Sequence, residues 1–135
     1  MPPQCQALVI HCIDFRFISA IRDFLKSRGL KDQYDLVSLA GATKGLAEGK
    51  NDSSETILRA IGIGVRFHGI KDIYIIHHMD CLAYQNQYAF NWAEAERNRL
   101  KNDMETAKNV ILKEYSHLQI IKVLAETNFN LNIIP

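Results

Sequence analysis

The chain has 135 residues, of which 47% are apolar and 23% are charged, and its formal net charge is +1. These values suit one globular domain with its own core, and they exclude a disordered or collagen-like chain. The basic residues form no stripe of the kind that binds nucleic acid. No apolar run approaches the ~20 residues that cross a bilayer, and the first residues do not resemble a signal peptide. We therefore expect a single cytoplasmic domain over residues 1–135, with neither membrane nor nucleic acid as partner.

Patterns typical of strands and of helices alternate along the chain. In chain order they predict a strand at residues 7–13, a helix at 18–25, a strand at 35–40 and a helix at 57–67 that begins near a capping-box pattern at 52–55. A strand at 73–76, a long charged helix at 92–115 and a strand at 118–124 follow. This order predicts an α/β fold, in which helices cover both faces of a mainly parallel, four-stranded sheet.

Two of the predicted strands end in residues that can bind a metal or hold a charge. Cys12, Asp14 and Arg16 stand at the end of the first strand, and His78 and Cys81 follow the third. Ligands of parallel α/β sheets bind at the carboxyl ends of the strands, and the first and third strands are neighbours in several doubly wound orders. We therefore expect the two groups to meet across one crevice.

The residue types at this crevice suggest a zinc site. Cys12, Cys81 and one histidine form a soft ligand set that suits Zn²⁺ and leaves the fourth tetrahedral position open for water. His77 and His78 point to opposite sides of an extended chain, so one of them faces the metal, and we favour His78. Cys5 lies at the far end of the first strand, and we interpret it as an incidental buried thiol.

The neighbouring charges admit more than one interpretation. Asp14 and Arg16 form an ordinary surface ion pair, or the guanidinium keeps the carboxylate ionised and oriented beside the metal. In a further alternative, Asp14 binds the metal as its fourth ligand and blocks substrate. The long predicted loop at residues 41–51, which contains three glycines, is of a kind that is often functional.

A paired motif in this sequence resembles that of the β-class carbonic anhydrases: Cys12-x-Asp14-x-Arg16, followed by His78-x-x-Cys81. The likeness extends over about residues 7–83 and includes Gly41, which follows the second strand as in that family. It implies a zinc ion held by the two cysteines and the histidine, an aspartate–arginine pair beside the ion, and assembly as a homodimer or higher homo-oligomer. The fold it implies is a four-stranded, mainly parallel sheet.

Three residues depart from the usual pattern of that family, and each enlarges a side chain beside the predicted site. Phe15 replaces a serine, His77 replaces the glycine before the zinc-binding histidine, and Leu82 replaces the glycine after the second cysteine. The chain also begins almost at its first strand, without the helical arm of longer members. It therefore resembles a short, divergent branch of the family.

The resemblance implies a zinc enzyme that reversibly hydrates carbon dioxide to bicarbonate by means of zinc-bound hydroxide. In that reaction Asp14 would orient the hydroxide, Arg16 would hold Asp14, and backbone amides of the loop at Gly41 would position substrate oxygens. Two alternatives stay open. One is a non-catalytic zinc-binding protein, and the other is a hydrolase of COS or CS₂ that uses the same site.

Overall fold

Five strands form one sheet in the computed structural model, which describes residues 2–135. In chain order they are β1 (Ala7–His11), β2 (Tyr34–Ser38), β3 (Asp72–His78), β4 (Gln119–Ala125) and β5 (Leu131–Ile134). Their order across the sheet is β2-β1-β3-β4-β5, in which the first four strands are parallel and β5 is antiparallel to β4. The predicted α/β class with a mainly parallel sheet is therefore confirmed.

The predicted number of four strands is wrong by one, because β5 was not expected. A tight turn leads into this strand: the Phe129 backbone N–H donates to the Glu126 carbonyl at 2.9 Å, and Phe129 has a φ of 68°. The segment is short and rich in asparagine, which is a composition typical of turns. It becomes a strand because β4 would otherwise leave an unpaired edge of backbone donors and acceptors.

Helices cover both faces of the sheet, as predicted. They are α1 (Ile18–Ser27), α2 (Lys44–Ala47), α3 (Asp52–Ile63), α4 (Leu82–Gln85) and α5 (Ala93–Glu114). On one face, Phe17 and α1 pack against β1, β3 and β4, and on the other face α3 and α5 bury residues such as Ile61 and Leu100. The short α2 interrupts the loop that was expected at 41–51. No helix within residues 2–135 is both long enough and apolar enough to span a bilayer.

The junctions of α3 are specified by short-range hydrogen bonds. The Asn51 side chain accepts a hydrogen bond from the Ser54 backbone, and the Ser54 hydroxyl accepts one from the Asn51 backbone. This reciprocal cap satisfies two donors that the first turn of a helix leaves free. At its other end α3 continues into a π-helical turn, Gly64–His68, which ends at Gly69.

The register of β1 and β3 brings their carboxyl ends together. Ile10 lies opposite Ile75 and His11 lies opposite Ile76, so residues 12–16 leave the sheet beside the last two residues of β3 and the segment 79–81 that follows them. In the sheet, β2 and β3 lie on opposite sides of β1. The chain runs from β1 to β2 on one side and then crosses to β3 on the other, so the strand order reverses between β1 and β3. Ligand sites of open α/β sheets form at such a point.

Candidate metal centre

Three ligand atoms converge at the carboxyl edge of the sheet, between β1 and β3. One ligand atom each from Cys12, His78 and Cys81 lies within 4.8 Å of the other two, and all three residues are buried. The two sulfur atoms are 3.9 Å apart. Two thiolates bound to one tetrahedral zinc ion, each ~2.3 Å from the metal, lie about 3.8 Å from each other. The spacing of the sulfurs therefore fits zinc.

The surroundings of His78 leave one ring nitrogen free to bind an ion. Its Nδ1 lies 2.8 Å from the Met79 carbonyl, which can only accept, so Nδ1 carries the proton. The opposite nitrogen, Nε2, is buried and has no hydrogen-bond partner among residues 2–135. Phe17 stacks on the ring with 4.3 Å between centroids and holds its orientation. An unpartnered buried nitrogen is costly, and metal-bound histidines have this arrangement, in which the other ring nitrogen donates to a carbonyl.

His77 faces the opposite side of β3 and lies outside the cluster of three ligands. Its Nε2 shares a 2.7 Å hydrogen bond with the Thr43 hydroxyl, and its ring packs edge-on against Tyr84. Burial lowers the pKa of His77 to about 3, so the ring stays neutral. The larger side chain at this position is therefore accommodated in the core behind the site.

The two thiols of the cluster lie within hydrogen-bond distance of each other, with 3.9 Å between the sulfur atoms. The hydrogen bond from Cys81 lowers the pKa of Cys12 below the usual thiol range, and the same contact raises the pKa of Cys81. The nearby backbone amides of Gly41 and Asp14 also lower the pKa of Cys12. Gly41 has a φ of 80°, and a Cβ atom there would lie 3.1 Å from the Cβ of Ala83. The positive φ and this close approach thus favour glycine at position 41.

An ion-pair network adjoins the cluster and holds Asp14. Arg16 donates to both oxygens of this carboxylate, with Nη2 2.7 Å from Oδ2 and Nε 3.1 Å from Oδ1, while its backbone N–H is 3.0 Å from Oδ1. These bonds lower the pKa of Asp14 to about 2. Asp14 Oδ2 lies 3.8 Å from His78 Nε2, which is too far for a hydrogen bond but places the carboxylate beside the cluster.

Asp80 is a member of this network to which the sequence analysis assigned no role. Its Oδ2 accepts a hydrogen bond from Arg16 Nη1 at 3.0 Å, and its carbonyl accepts one from Nη2 at 3.0 Å. Asp80 is held in turn by Gln85, which donates to Oδ1 at 2.9 Å, and by Glu96, which accepts from its backbone N–H at 2.9 Å. Its position between two predicted ligands, at the end of the same strand as His78, was the signal that could have identified it.

A cleft of about 520 Å³ opens at the same edge and reaches the cluster. Its polar lining comes from Cys12, Asp14, Arg16, Asp80 and Cys81, and the rest of its wall is apolar. Ile13, Phe15 and Leu82 border it with 60%, 85% and 67% of their surfaces exposed. Phe15 and Leu82, the enlarged residues, therefore widen the apolar rim. Ala40 lines the cleft, whereas Gly41 is not among its lining residues.

Comparison with known proteins places the chain in a family. The sequence matches the family described as "Putative carbonic anhydrase" over residues 3–135. The chain belongs to this family. Its relatives include uncharacterized proteins of Rickettsia conorii and Rickettsia bellii, which are 31% and 30% identical to it over 125 residues. These alignments cover 90% of this chain and, respectively, 67% and 76% of the two relatives.

Solved structures of carbonic anhydrases share the fold of this family member. The enzyme of Streptococcus mutans gives a TM-score of 0.68 at 13% identity, over 99% of this chain and 84% of that one. One of the tetrameric β-carbonic anhydrases of Sordaria macrospora gives 0.55 at 11% identity, over 98% of this chain and 81% of that one. The fold is therefore that of the β-carbonic anhydrases, as the motif resemblance implied.

Proposed function

We propose that this member of the carbonic anhydrase family is a zinc enzyme that reversibly hydrates carbon dioxide to bicarbonate and a proton. The observation that carries the proposal is the buried cluster of Cys12, His78 and Cys81, whose sulfur spacing fits zinc and whose His78 Nε2 has no partner within residues 2–135. Zinc in such a site supplies Lewis acidity, which brings the pKa of a water molecule from ~15.7 towards neutrality.

Asp14 acts in this proposal as the hydrogen-bond acceptor that orients the attacking water. Its low pKa keeps it ionised at neutral pH, so it accepts a hydrogen bond without taking the proton. Both of its oxygens already accept hydrogen bonds from Arg16, which favours this role over binding the metal as a fourth ligand. Arg16 is thus a positioning residue, and its Nη1 donates a hydrogen bond to Asp80.

The cleft contributes the substrate side of the proposed reaction. Carbon dioxide is linear and carries no net charge, and the apolar rim of Ile13, Phe15 and Leu82 offers it a nonpolar approach to the cluster. A contact between the Gly41 amide and substrate oxygens stays a prediction. The same exposed rim is a surface that a second copy would cover, and we propose a homodimer or higher homo-oligomer, to be measured by light scattering. The free thiols of the cluster are consistent with the proposed cytoplasmic location.

The test is to measure zinc content and stopped-flow hydration of carbon dioxide in the zinc-loaded protein and in Cys81→Ser. We expect the variant to lose zinc from this site, with a fall of more than ~100-fold in hydration, since even partners outside the ligand shell are worth 10–100-fold in metal affinity. The matched control is Cys5→Ser, which removes a thiol at the opposite edge of the sheet and should keep full hydration. Full hydration by zinc-free protein would refute the proposal.

The apolar rim also favours a second candidate function, hydrolysis of COS or CS₂ at the same site. These substrates are linear and even less polar than carbon dioxide, so they would enter by the same route. Release of sulfide by the zinc-loaded protein, at a rate above its hydration of carbon dioxide, would favour this candidate. A protein that binds zinc through the three ligands but turns over none of these substrates at any pH would be a non-catalytic member of the family.

A further inference from the structure

A second cluster of potential metal ligands lies at the amino edge of the sheet, opposite the candidate metal centre. Cys5 precedes β1, Asp35 lies in β2, and His68 ends the π-helical turn after α3. One ligand atom from each residue lies within 4.8 Å of the other two. The five residues of β1, which rise ~3.3 Å each, separate the two edges by roughly 17 Å. This cluster therefore takes no part in the proposed hydration.

An irregular backbone after α3 brings His68 to Asp35. The helix widens into the π-helical turn, Gly64–His68, which Gly69 ends in the left-handed conformation with a φ of 61°. Gly64 leaves room for the carboxylate, because a Cβ atom there would lie 3.2 Å from Asp35 Oδ2. Turns of this kind are rare, and they frequently mark functional sites.

The segment before β1 completes the cluster. The backbone N–H of Cys5 donates to the His68 carbonyl at 3.0 Å, which fixes the thiol beside the imidazole. The only hydrogen bond of the Cys5 sulfur within residues 2–135 is a long one, 3.5 Å, to the Ala7 carbonyl. Three segments that are distant in sequence thus each place one donor at the same point.

The chemistry of the three groups suits a metal ion better than an ion pair alone. His68 Nδ1 lies 2.9 and 2.8 Å from the two oxygens of Asp35, and the two side chains are 31% and 30% exposed, so solvent ions can reach them. An ion pair needs no thiol, whereas Cys5 adds a third, soft donor beside a carboxylate. A divalent cation that replaces the Nδ1 proton of His68 would bind the Asp35 carboxylate and the Cys5 thiolate at once. Thiolate, imidazole and carboxylate are the ligands that zinc takes in proteins.

We propose that Cys5, Asp35 and His68 form a second metal site, which binds a divalent transition-metal ion with zinc preferred. Cys5 Sγ, an Asp35 oxygen and His68 Nδ1 supply three ligands, and water takes the remaining position. An ion there links the segment before β1 to β2 and to the end of α3. Its role is structural, and it does not depend on the proposed hydration.

The first test counts zinc ions per chain, after equilibration with zinc and gel filtration, by elemental analysis. We expect two ions in the wild-type protein, one in Cys5→Ser and one in the double variant Cys12→Ser/Cys81→Ser. His117→Ala, which removes an exposed histidine between α5 and β4, is the matched control and should keep two. The proposal is overturned if both the wild-type protein and Cys5→Ser bind one zinc ion. It is also overturned if both bind two.

The second test follows cobalt in place of zinc in the double variant Cys12→Ser/Cys81→Ser, in which Cys5 is the remaining thiol. We expect thiolate-to-cobalt charge-transfer absorption, and its loss when Cys5→Ser is added. Absence of the band in the folded double variant overturns the proposal. If that variant does not fold, the zinc count of wild type against Cys5→Ser decides, because Cys5 lies partly exposed outside the strands. If only the hydration proposal fails, the protein will not turn over carbon dioxide, but the zinc ion bound by Cys5, Asp35 and His68 will still be counted.

Discussion

The two edges of the sheet carry similar donor types in different surroundings. At the carboxyl edge, Cys12, His78 and Cys81 are all buried, and His78 Nε2 has no hydrogen-bond partner within residues 2–135. At the amino edge, Asp35 and His68 are about one-third exposed and already bond each other. A buried, unpartnered nitrogen costs the metal-free fold free energy that a bound ion restores, whereas the hydrogen bond between Asp35 and His68 must be broken before these groups bind an ion. We therefore expect the carboxyl edge to hold its ion more tightly.

Three substitutions of charged residues follow: Asp14→Asn, Asp80→Asn and Glu126→Gln. We expect Asp14→Asn to have the largest effect. It removes the ionised acceptor beside the cluster but leaves all three ligands, so we expect zinc to be retained and hydration of carbon dioxide to fall by about 100-fold or more. The matched control at the amino edge is Asp72→Asn, because Asp72 is a partly buried carboxylate that accepts a hydrogen bond from Gln6 at 3.0 Å. Equal losses in the two variants would contradict the different roles of the two edges.

Asp80→Asn should have a smaller effect on the same reaction. Asparagine tolerates the left-handed backbone of Asp80, which has a φ of 61°, so the turn should persist while Arg16 loses one of its two carboxylate partners. We expect hydration to fall by about 10-fold with zinc content unchanged.

A double variant distinguishes positioning from a merely structural role of Asp80. If Asp80 acts through Arg16 on Asp14, then Asp14→Asn/Asp80→Asn should be no slower than Asp14→Asn alone, since coupled residues are not additive. Multiplied losses in the double variant would show that Asp80 acts independently of Asp14.

The smallest expected effect concerns an ion pair at the carboxyl edge that lies outside the cluster. Arg97 donates to both oxygens of Glu126, at 3.0 and 2.7 Å, and these bonds lower the pKa of Glu126. A lowered carboxyl pKa adds stability above the unfolded pKa of ~4.3, and this stability is lost as the pH falls through the lower folded value. The two side chains are 25% and 27% exposed, so the contribution at neutral pH is less than about 1 kcal/mol.

Urea unfolding of Glu126→Gln against pH measures this contribution. The variant should be less stable than wild type at pH ~7, and the two curves should converge as the pH falls from ~4.3 to below the lowered folded pKa, where Glu126 is protonated in both states. Glu114→Gln, which changes an exposed carboxylate at the end of α5, is the control and should follow the wild-type curve. A constant difference between Glu126→Gln and wild type at all pH values would exclude the ion pair as its cause.

Much of the architecture was predictable because its signals are local. Apolar, β-branched runs identified β1 to β4, and the alternation of side chains along an extended chain correctly separated His77 from His78. β5 was missed because its residues are polar enough for a turn, and its pairing depends on the free edge of β4. The role of Asp80 was missed for a similar reason: its partner, Arg16, is 64 residues away.

The sequence by itself determined the α/β class and the residue types at the strand ends, since periodicity and motif spacing are properties of neighbouring residues. Only the tertiary structure decided that β1 and β3 are adjacent, that Cys12 and Cys81 approach to 3.9 Å, and that Cys5 meets Asp35 and His68. These outcomes depend on which strands pair and on how α3 turns into β3. Backbone hydrogen bonds and core packing between distant segments settle such choices, and no short stretch of sequence contains them.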